Sequence, residues 1–315
     1  MKALVTGADG FVGPWVVRAL LAAGHGVVAT AQPGQRRSDG LTAAERAAVS
    51  WVPLELGDLA SVRQVAGREY DAVIHLAAVA SGGDALRDPG VAWSVNAAGT
   101  ARLVGEFGRR RQAQETDPMV LVVSSAEVYG AGATRPRTED DPVAPRSPYA
   151  ASKAGAELAA VETRLRTGLR VVVARAFPHT GPGQDERFVA PAFARRLRGA
   201  RLAKARVVKV GNLDPVREFV DVRDVAAAYV VLAQRGVPGE VYNVASGRGI
   251  ALSDLFRRLA DIVGVDAIPE PDPEFLRPAD IPHLVGDGAK LTRLGWKAAI
   301  PLERTLTDLV NAQAD

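Results

Sequence analysis

The stretch ALVTGADGFVG, residues 3–13, decides the fold. Ala3–Thr6 reads as a short buried strand. It runs directly into Gly7-Ala8-Asp9-Gly10-Phe11-Val12-Gly13, and a helical pattern follows to about residue 23. A glycine turn between a strand and a helix is the mark of a dinucleotide-binding βαβ unit. The spacing is G-x-x-G-x-x-G, one residue longer between the first two glycines than G-x-G-x-x-G. Gly7 permits the tight turn, Gly10 lets backbone approach a pyrophosphate, and Gly13 lets the helix pack on the sheet. Phe11 and Val12 lie in the same turn, and the helix start offers N–H groups and a positive dipole end to phosphate. The competing reading is a glycine turn without ligand. The strand before it and the helix after it argue against that.

Outward from this unit, Val27–Thr30, Ala72–His75, Val120–Ser124 and Arg170–Arg175 read as further buried strands, with another near 51–54. They are apolar throughout, as a parallel sheet covered on both faces requires. Helical stretches near 91–113 and 149–166 lie between them. The implied fold is α/β, a doubly wound Rossmann sheet. After Arg175 the pattern changes. FPHTGPGQ (177–184) reads as loop, a basic helix spans about 188–201, and a strand falls near 206–210. The helix at 221–235 and the strand at 240–244 return to the first region. The expected division is therefore a dinucleotide-binding domain of 1–176 plus 221–245. A smaller, discontinuous α/β substrate domain of 177–220 plus 246–315 completes the chain, with two or three helices after residue 246.

The 315 residues are 47% hydrophobic and 24% charged, the balance of a globular protein. No run of about 20 apolar residues is present, and the N-terminus lacks a signal-peptide pattern, so a cytoplasmic protein without membrane attachment is expected. Cysteine is absent, which excludes disulfides, thiol catalysis and Cys-ligated metals, and no metal site is expected. The formal net charge of +3 suits an anionic small molecule, and nothing points to nucleic acid.

The end of the second strand bears on the cofactor. An NAD enzyme places an acid there for the ribose 2′-hydroxyl. Here Ala29-Thr30-Ala31-Gln32 has none, and Arg36 and Arg37 follow. Guanidinium groups can grip a 2′-phosphate with paired hydrogen bonds, so NADP(H) is favoured over a reading of solvated loop arginines. Asp58, with Leu59, follows the third strand where an adenine edge could lie. Leu76, Ala77 and Ala78 end the fourth and leave room for the cofactor. His75 reads as a strand-end residue facing its neighbours.

The chemistry is written in Ser124-Ser125-Ala126-Glu127 and in Tyr149-Ala150-Ala151-Ser152-Lys153. Tyr149 and Lys153, at i and i+4, share a helix face. A phenol titrates near 10, and an ammonium beside it, with an oxidised nicotinamide, is expected to favour phenolate. Ser125 at a strand end can hold a carbonyl oxygen. Proton donor, tuning group and orienting hydroxyl are what ketone–alcohol hydride transfer needs.

The segments TGADGFVG, HLAA, SSAEVYG, YAASK, the modified R-x-F-x-x-x-G-P of Arg175–Pro182 and REFVDVRDVA resemble the extended short-chain dehydrogenases/reductases over nearly the whole chain. Through HTGPGQ, VGNLDPVREFVDVRDVAAAYV and LRPADIPHLVGD the chain looks most like reductases of GDP-linked 6-deoxy-4-ketohexoses. The resemblance implies Ser125, Tyr149 and Lys153 as the catalytic set, and His179, Arg217 and Arg277 as contacts to a nucleotide-diphosphate sugar. It also implies a homodimer joined through the long helices. Two departures stand out. Pro178 replaces the family's usual Asn. Ala126 replaces the acid that dTDP-glucose dehydratases use on the leaving hydroxyl, while Glu127 matches the base of GDP-mannose dehydratases. The expected activity is NADPH-dependent reduction of a 4-keto-6-deoxy sugar nucleotide, GDP-linked before dTDP-linked. A 4,6-dehydratase, an epimerase and a non-catalytic NADP sensor are the alternatives.

Overall fold

The computed structural model describes residues 1–34, 40–132, 134–275 and 281–313. From the N-terminus, β1 (Lys2–Thr6) leads into α1 (Gly13–Ala22), β2 (Gly26–Ala31), α2 (Ala43–Ala47), β3 (Val49–Pro53), α3 (Leu59–Ala66) and β4 (Ala72–His75). Then come α4 (Gly82–Arg87), α5 (Pro89–Ala92), a π-helical stretch Trp93–Gly99 and α6 (Thr100–Gln112). They are followed by β5 (Met119–Ser125), α7 (Pro148–Thr167), β6 (Arg170–Ala176) and the two-residue β7 (His179–Thr180). The remainder is α8 (Val189–Ala203), β8 (Val207–Val210), β9 (Val216–Glu218), β10 (Val220–Asp221), α9 (Val222–Arg235), β11 (Val241–Val244), β12 (Gly249–Ala251), α10 (Leu252–Val263), β13 (Ile268–Pro271), β14 (His283–Leu284), α11 (Ala289–Thr292) and α12 (Leu302–Ala312).

Seven parallel strands form one sheet in the order β11-β6-β5-β4-β1-β2-β3. Its strands are apolar on both sides because both sides are covered. Ala3 and Val5 of β1 point to a core with α1 and α9, while Leu4 points to one with α3 and α6. Leu121 against Val120 and Val122 repeats this alternation in β5. The order reverses beside β1, and the crevice at the carboxyl ends of β1 and β4 is where such sheets take ligands.

A second core joins α8, β8, α10 and α12 through Phe193, Leu197, Leu255, Phe256 and Leu306. Leu291 and Trp296 lie in the stretch expected to belong to the smaller region, yet they pack in the core of the large sheet. FPHTGPGQ is not loop throughout. His179–Thr180 pairs in parallel with Val220–Asp221, because the chain crosses the second region's entry and return at that point. The helix expected over 91–113 widens into a π-helix at Trp93–Gly99. There the Asn96 side chain bonds Val79 N at 2.8 Å, Val79 O at 3.1 Å and Ser152 Oγ at 2.9 Å. Side chains inserted at such places commonly accompany π turns. Among the described residues no helix is long and apolar enough to cross a membrane.

Glu218 ties the second region to the end of β11. It is fully buried, and its carboxylate accepts from the Gly286 N–H at 2.6 Å, the Ser246 Oγ–H at 2.8 Å and the Ser246 N–H. Burial pushes its pKa up from 4.5 to about 7 against the pull of those donors. The folded chain thus holds a proton there that the unfolded chain releases, so this group's contribution to stability is full below pH 4.5 and falls as pH rises to about 7. Replacing Glu218 by Ala strands these donors. It should cost about 3 kcal/mol, read as a lower urea midpoint at unchanged m-value, and should remove that part of the pH dependence.

Candidate active site

One large cavity, about 1950 Å³, lies at the carboxyl end of the sheet and runs into the second region. Gly7, Gly10, Phe11, Val12 and Gly13 line it, with Leu76, Ala77 and Ala78 from the end of β4. Gly7 has φ +65°, and a Cβ there would stand 2.7 Å from the Ala77 nitrogen. A Cβ on Gly13 would run into the Ala8 backbone, whereas one on Gly10 would meet only Gly7 O, at 3.4 Å. Sterically, Gly7 serves the turn, Gly10 leaves an open approach and Gly13 allows helix packing. Val12 caps α1 with no side-chain acceptor, which leaves the first-turn N–H groups for an anion. These features fit a dinucleotide pyrophosphate.

At the far end of this groove, Thr30, Ala31, Gln32 and Gly34 line the wall with no acid from β2. Arg36 and Arg37 lie outside the described residues, as does Arg277. Arg18 of α1 also lines this end, beside Trp15 at 4.7 Å from its ring, and is held by Glu45 at 2.7 Å. A helical arginine in mid-pattern carries no motif, so sequence reading missed it. Asp58 and Leu59 are not brought into the cavity. Asp58 is exposed and caps α3 by accepting from Ala60 N–H at 2.9 Å, a role its position ahead of a helix explains.

At the other end Ser125, Glu127, Tyr149 and Lys153 face the same space. Ser125 ends β5, where its hydroxyl accepts from Glu127 N–H at 3.2 Å, and it hydrogen-bonds Tyr149. Ser147 caps α7 and donates to Glu127 at 3.5 Å. Lys153 is buried, and its ammonium donates to the Val123 carbonyl. Behind it Glu157 bonds Ser124 and Arg175, and Arg175 stacks 4.7 Å from the Tyr129 ring. His75 is a buried strand-end residue between Thr6 and Thr100, and burial followed by the Lys153 charge holds it near 3, hence neutral.

Among the protein's own groups, desolvation has the largest influence on Tyr149. Burial, then the Glu127 charge, raises the Tyr149 pKa, and the Ser125 hydrogen bond offsets this only in part. The protein alone keeps a neutral phenol rather than a phenolate. Lys153 is pushed down to about 8 by burial, with Glu157 pulling it back up, so it remains an ammonium at neutral pH. His179 stacks on Phe11, ring centroids 6.1 Å apart and planes 5° off parallel, and its Nδ1 faces the Phe177 carbonyl at 2.9 Å. Burial holds its pKa low, so the neutral ring donates from Nδ1 and leaves Nε2 as an acceptor. Arg217, on β9, and Pro178 also line the cavity, and the Arg187–Asp84 ion pair joins its two sides.

Known proteins carry the same plan. The family described as GDP-mannose 4,6 dehydratase matches residues 4–309. The chain belongs to this branch of the extended short-chain dehydrogenases/reductases. It is 36% identical to the GDP-6-deoxy-D-mannose reductase of Pseudomonas aeruginosa, over 98% of this chain and 96% of that protein. It is 31% identical to a UDP-glucose 4-epimerase of Mycolicibacterium smegmatis, over 98% and 97%. Among solved structures, RMD of Pseudomonas aeruginosa complexed with NADPH superimposes with a TM-score of 0.82 at 32% identity, covering 99% of this chain and 98% of that one. The Ser–Tyr–Lys arrangement thus sits in a family of nucleotide-sugar enzymes that reduce, dehydrate or epimerise.

The carboxylate of Glu157 raises the Lys153 pKa from below. In Glu157→Gln the Lys153 ammonium should titrate below 8, seen by NMR titration of the lysine side chains with Lys153→Met as the assignment control.

Proposed function

We propose that this protein reduces a 4-keto-6-deoxy sugar nucleotide, GDP-linked before dTDP-linked, with NADPH. The observation that carries the reading is that Ser125, Tyr149 and Lys153 line one end of the cavity whose other end is the Gly7–Gly13 turn, with Tyr149 a neutral phenol beside Ser125. A neutral phenol poised at a carbonyl-holding serine is a proton donor, which is what reduction asks of it. The nicotinamide supplies the hydride. Ser125 steadies the carbonyl oxygen, Tyr149 gives it a proton, and Lys153 holds the ribose side and supports the developing charge. Ala126 places no acid beside Ser125 for the loss of a 6-hydroxyl. The identity to a GDP-6-deoxy-D-mannose reductase over nearly the whole chain supports the same reaction.

The absence of an acid at the end of β2, together with Arg18 there and Arg36 and Arg37 in sequence, supports NADP(H) over NAD(H). Arg217, His179 and Arg277 are the proposed contacts to the nucleotide diphosphate and sugar. The region built from 177–220 and 246–315 would hold that half of the substrate, opposite the cofactor on 1–176 and 221–245. Exposed Leu86, Val91, Trp93, Leu158 and Leu165 share the outer surface of α4, α5, the π-helical stretch and α7. Exposed apolar side chains on helices that pack side by side support a homodimer.

A second reading rests on Glu127, which lines the cavity beside Tyr149. A carboxylate there suits removal of a proton next to a carbonyl, as 4,6-dehydration requires. The assays separate the two. The reductase consumes NADPH with GDP-4-keto-6-deoxymannose, and Tyr149→Phe should lower kcat by roughly 10²–10⁴-fold. The dehydratase makes a 4-keto product from GDP-mannose without added NADPH. No turnover of any 4-keto sugar nucleotide overturns the reductase reading. Titration with GDP, dTDP and UDP tests the nucleotide, and a dTDP or UDP affinity ten-fold above that of GDP rejects the GDP assignment. Light scattering at micromolar concentration should return the dimer mass.

A further inference from the structure

The reacting end of the cavity opens between two lips. One is α4, which follows β4 and contributes Asp84 and Arg87 to the cavity wall. The other is the strap 181–188, which follows β6 and β7 and contributes Gln184, Asp185 and Arg187. In the sheet β5 lies between β4 and β6, so the space between the lips is the one above Ser125. Arg187 reaches across it and donates to Asp84.

The strap is rooted on its own side. The Thr180 hydroxyl donates to Gln184 Oε1 at 2.6 Å, the Gln184 amide donates to the His179 carbonyl at 3.0 Å, and Glu186 pairs with Arg195 of α8 at 2.8 Å. Across the mouth, each member of the pair has a second partner close by in sequence. Asp84 also binds Arg87, one turn on in α4, and Arg187 also binds Asp185 at 2.9 Å. Opening the pair therefore strands neither charge, since each falls back on a group it already touches. Arg187 is 55% exposed and Asp84 27%, and a pair so open to water adds little to the stability of the fold. A contact of that strength can be made and broken in every turnover.

We propose that Asp84 and Arg187 form a clasp over the reacting end of the cavity, closed on bound ligand and opened for its exchange. Closed, it keeps water from the space above Ser125 and Tyr149, where charge develops during the reaction. Open, Arg187 rests on Asp185 and Asp84 on Arg87. These fallback partners hold the two states close in free energy, so a ligand between the lips can decide which is populated. The clasp acts on what lies at the reacting end, the nicotinamide half of a cofactor included, and not on an adenosine half beside Gly34 and Gly40 at the far end. This inference rests on the presence of a nicotinamide cofactor and holds for reduction, dehydration or epimerisation alike.

The test uses the purified full chain without sugar nucleotide. Stopped-flow displacement gives the release rate of the tighter of NADPH and NADH, and of its nicotinamide-free counterpart, 2′-phospho-ADP-ribose or ADP-ribose. Asp84→Arg and Arg187→Asp should each release the dinucleotide up to about five-fold faster, with the nicotinamide-free ligand unaffected. The two changes combined rebuild the pair with its charges exchanged. That variant should return to the wild-type rate or a slower one, because Arg87 and Asp185 now repel the exchanged charges in the open state. Arg87→Gln with Asp185→Asn weakens both fallbacks and leaves the clasp intact, so release should slow. Unchanged dinucleotide release in the single variants overturns the proposal. A combined variant as fast as the single ones overturns it, because the charges then do not act as a pair. Equal acceleration of both ligands overturns it as general damage to the cavity, and so does unchanged or faster release when the fallbacks are weakened. None of these results bears on the sugar substrate, which is assayed separately.

Discussion

The reacting end of the cavity depends on one buried ion pair, Arg175 with Glu157. Both side chains are less than a tenth exposed, and they meet at 2.8 Å. Glu157 stands one helical turn beyond Lys153 on α7, and Arg175 is a register partner of Ser124 on the neighbouring strand. The pair therefore fixes helix to sheet at the level of Ser125, Tyr149 and Lys153. Ser124 adds its own hydrogen bond to Glu157, and Ser125 is the next residue. Breaking a buried pair by removing one partner costs about 3–5 kcal/mol, because the other charge is left stranded. Here the loss would also shift the serine, the tyrosine and the lysine relative to one another. Arg175 is held in turn by Tyr129, whose hydroxyl donates to Asn243 at 2.6 Å. The support thus reaches β11 at the edge of the sheet.

Much of this was legible in the residues. The glycine turn announces itself because each glycine answers a separate steric demand, and those demands recur at Ala77 and Ala8. Ser125, Tyr149 and Lys153 were readable because strand-end and i, i+4 geometry leave their side chains few places to go. The strands were readable for a simpler reason: a sheet covered on both faces has no room for polar residues along its middle.

What was not legible depends on burial and on distant contacts. The charge state of Tyr149 follows from its desolvation and from Glu127, not from the i+4 lysine that the motif displays. Asp58, read in sequence as a possible adenine contact, lends its Oδ1 to the cap of α3. The π turn at Trp93–Gly99 arises from an asparagine that reaches across to Val79 and Ser152, 17 residues before and 56 after it, and no local pattern encodes it. Arg18 sits in the middle of an ordinary helix, and only the fold brings it to the cavity wall.

The short parallel pair β8 and β13 shows a different kind of constraint. Along β13 the N–H of Ile268 and that of Asp272, just beyond its end, are directed inward, to Arg206 O at 2.6 Å and Val210 O at 2.8 Å. The residues of opposite parity, whose N–H groups would point away from β8, are Pro269 and Pro271. The outer rim of this strand thus carries carbonyls but no donors. A strand from another molecule laid along it would find half of its ladder missing, so an exposed edge with an exposed Ile268 is closed to polymerisation by covalent structure rather than by a covering element.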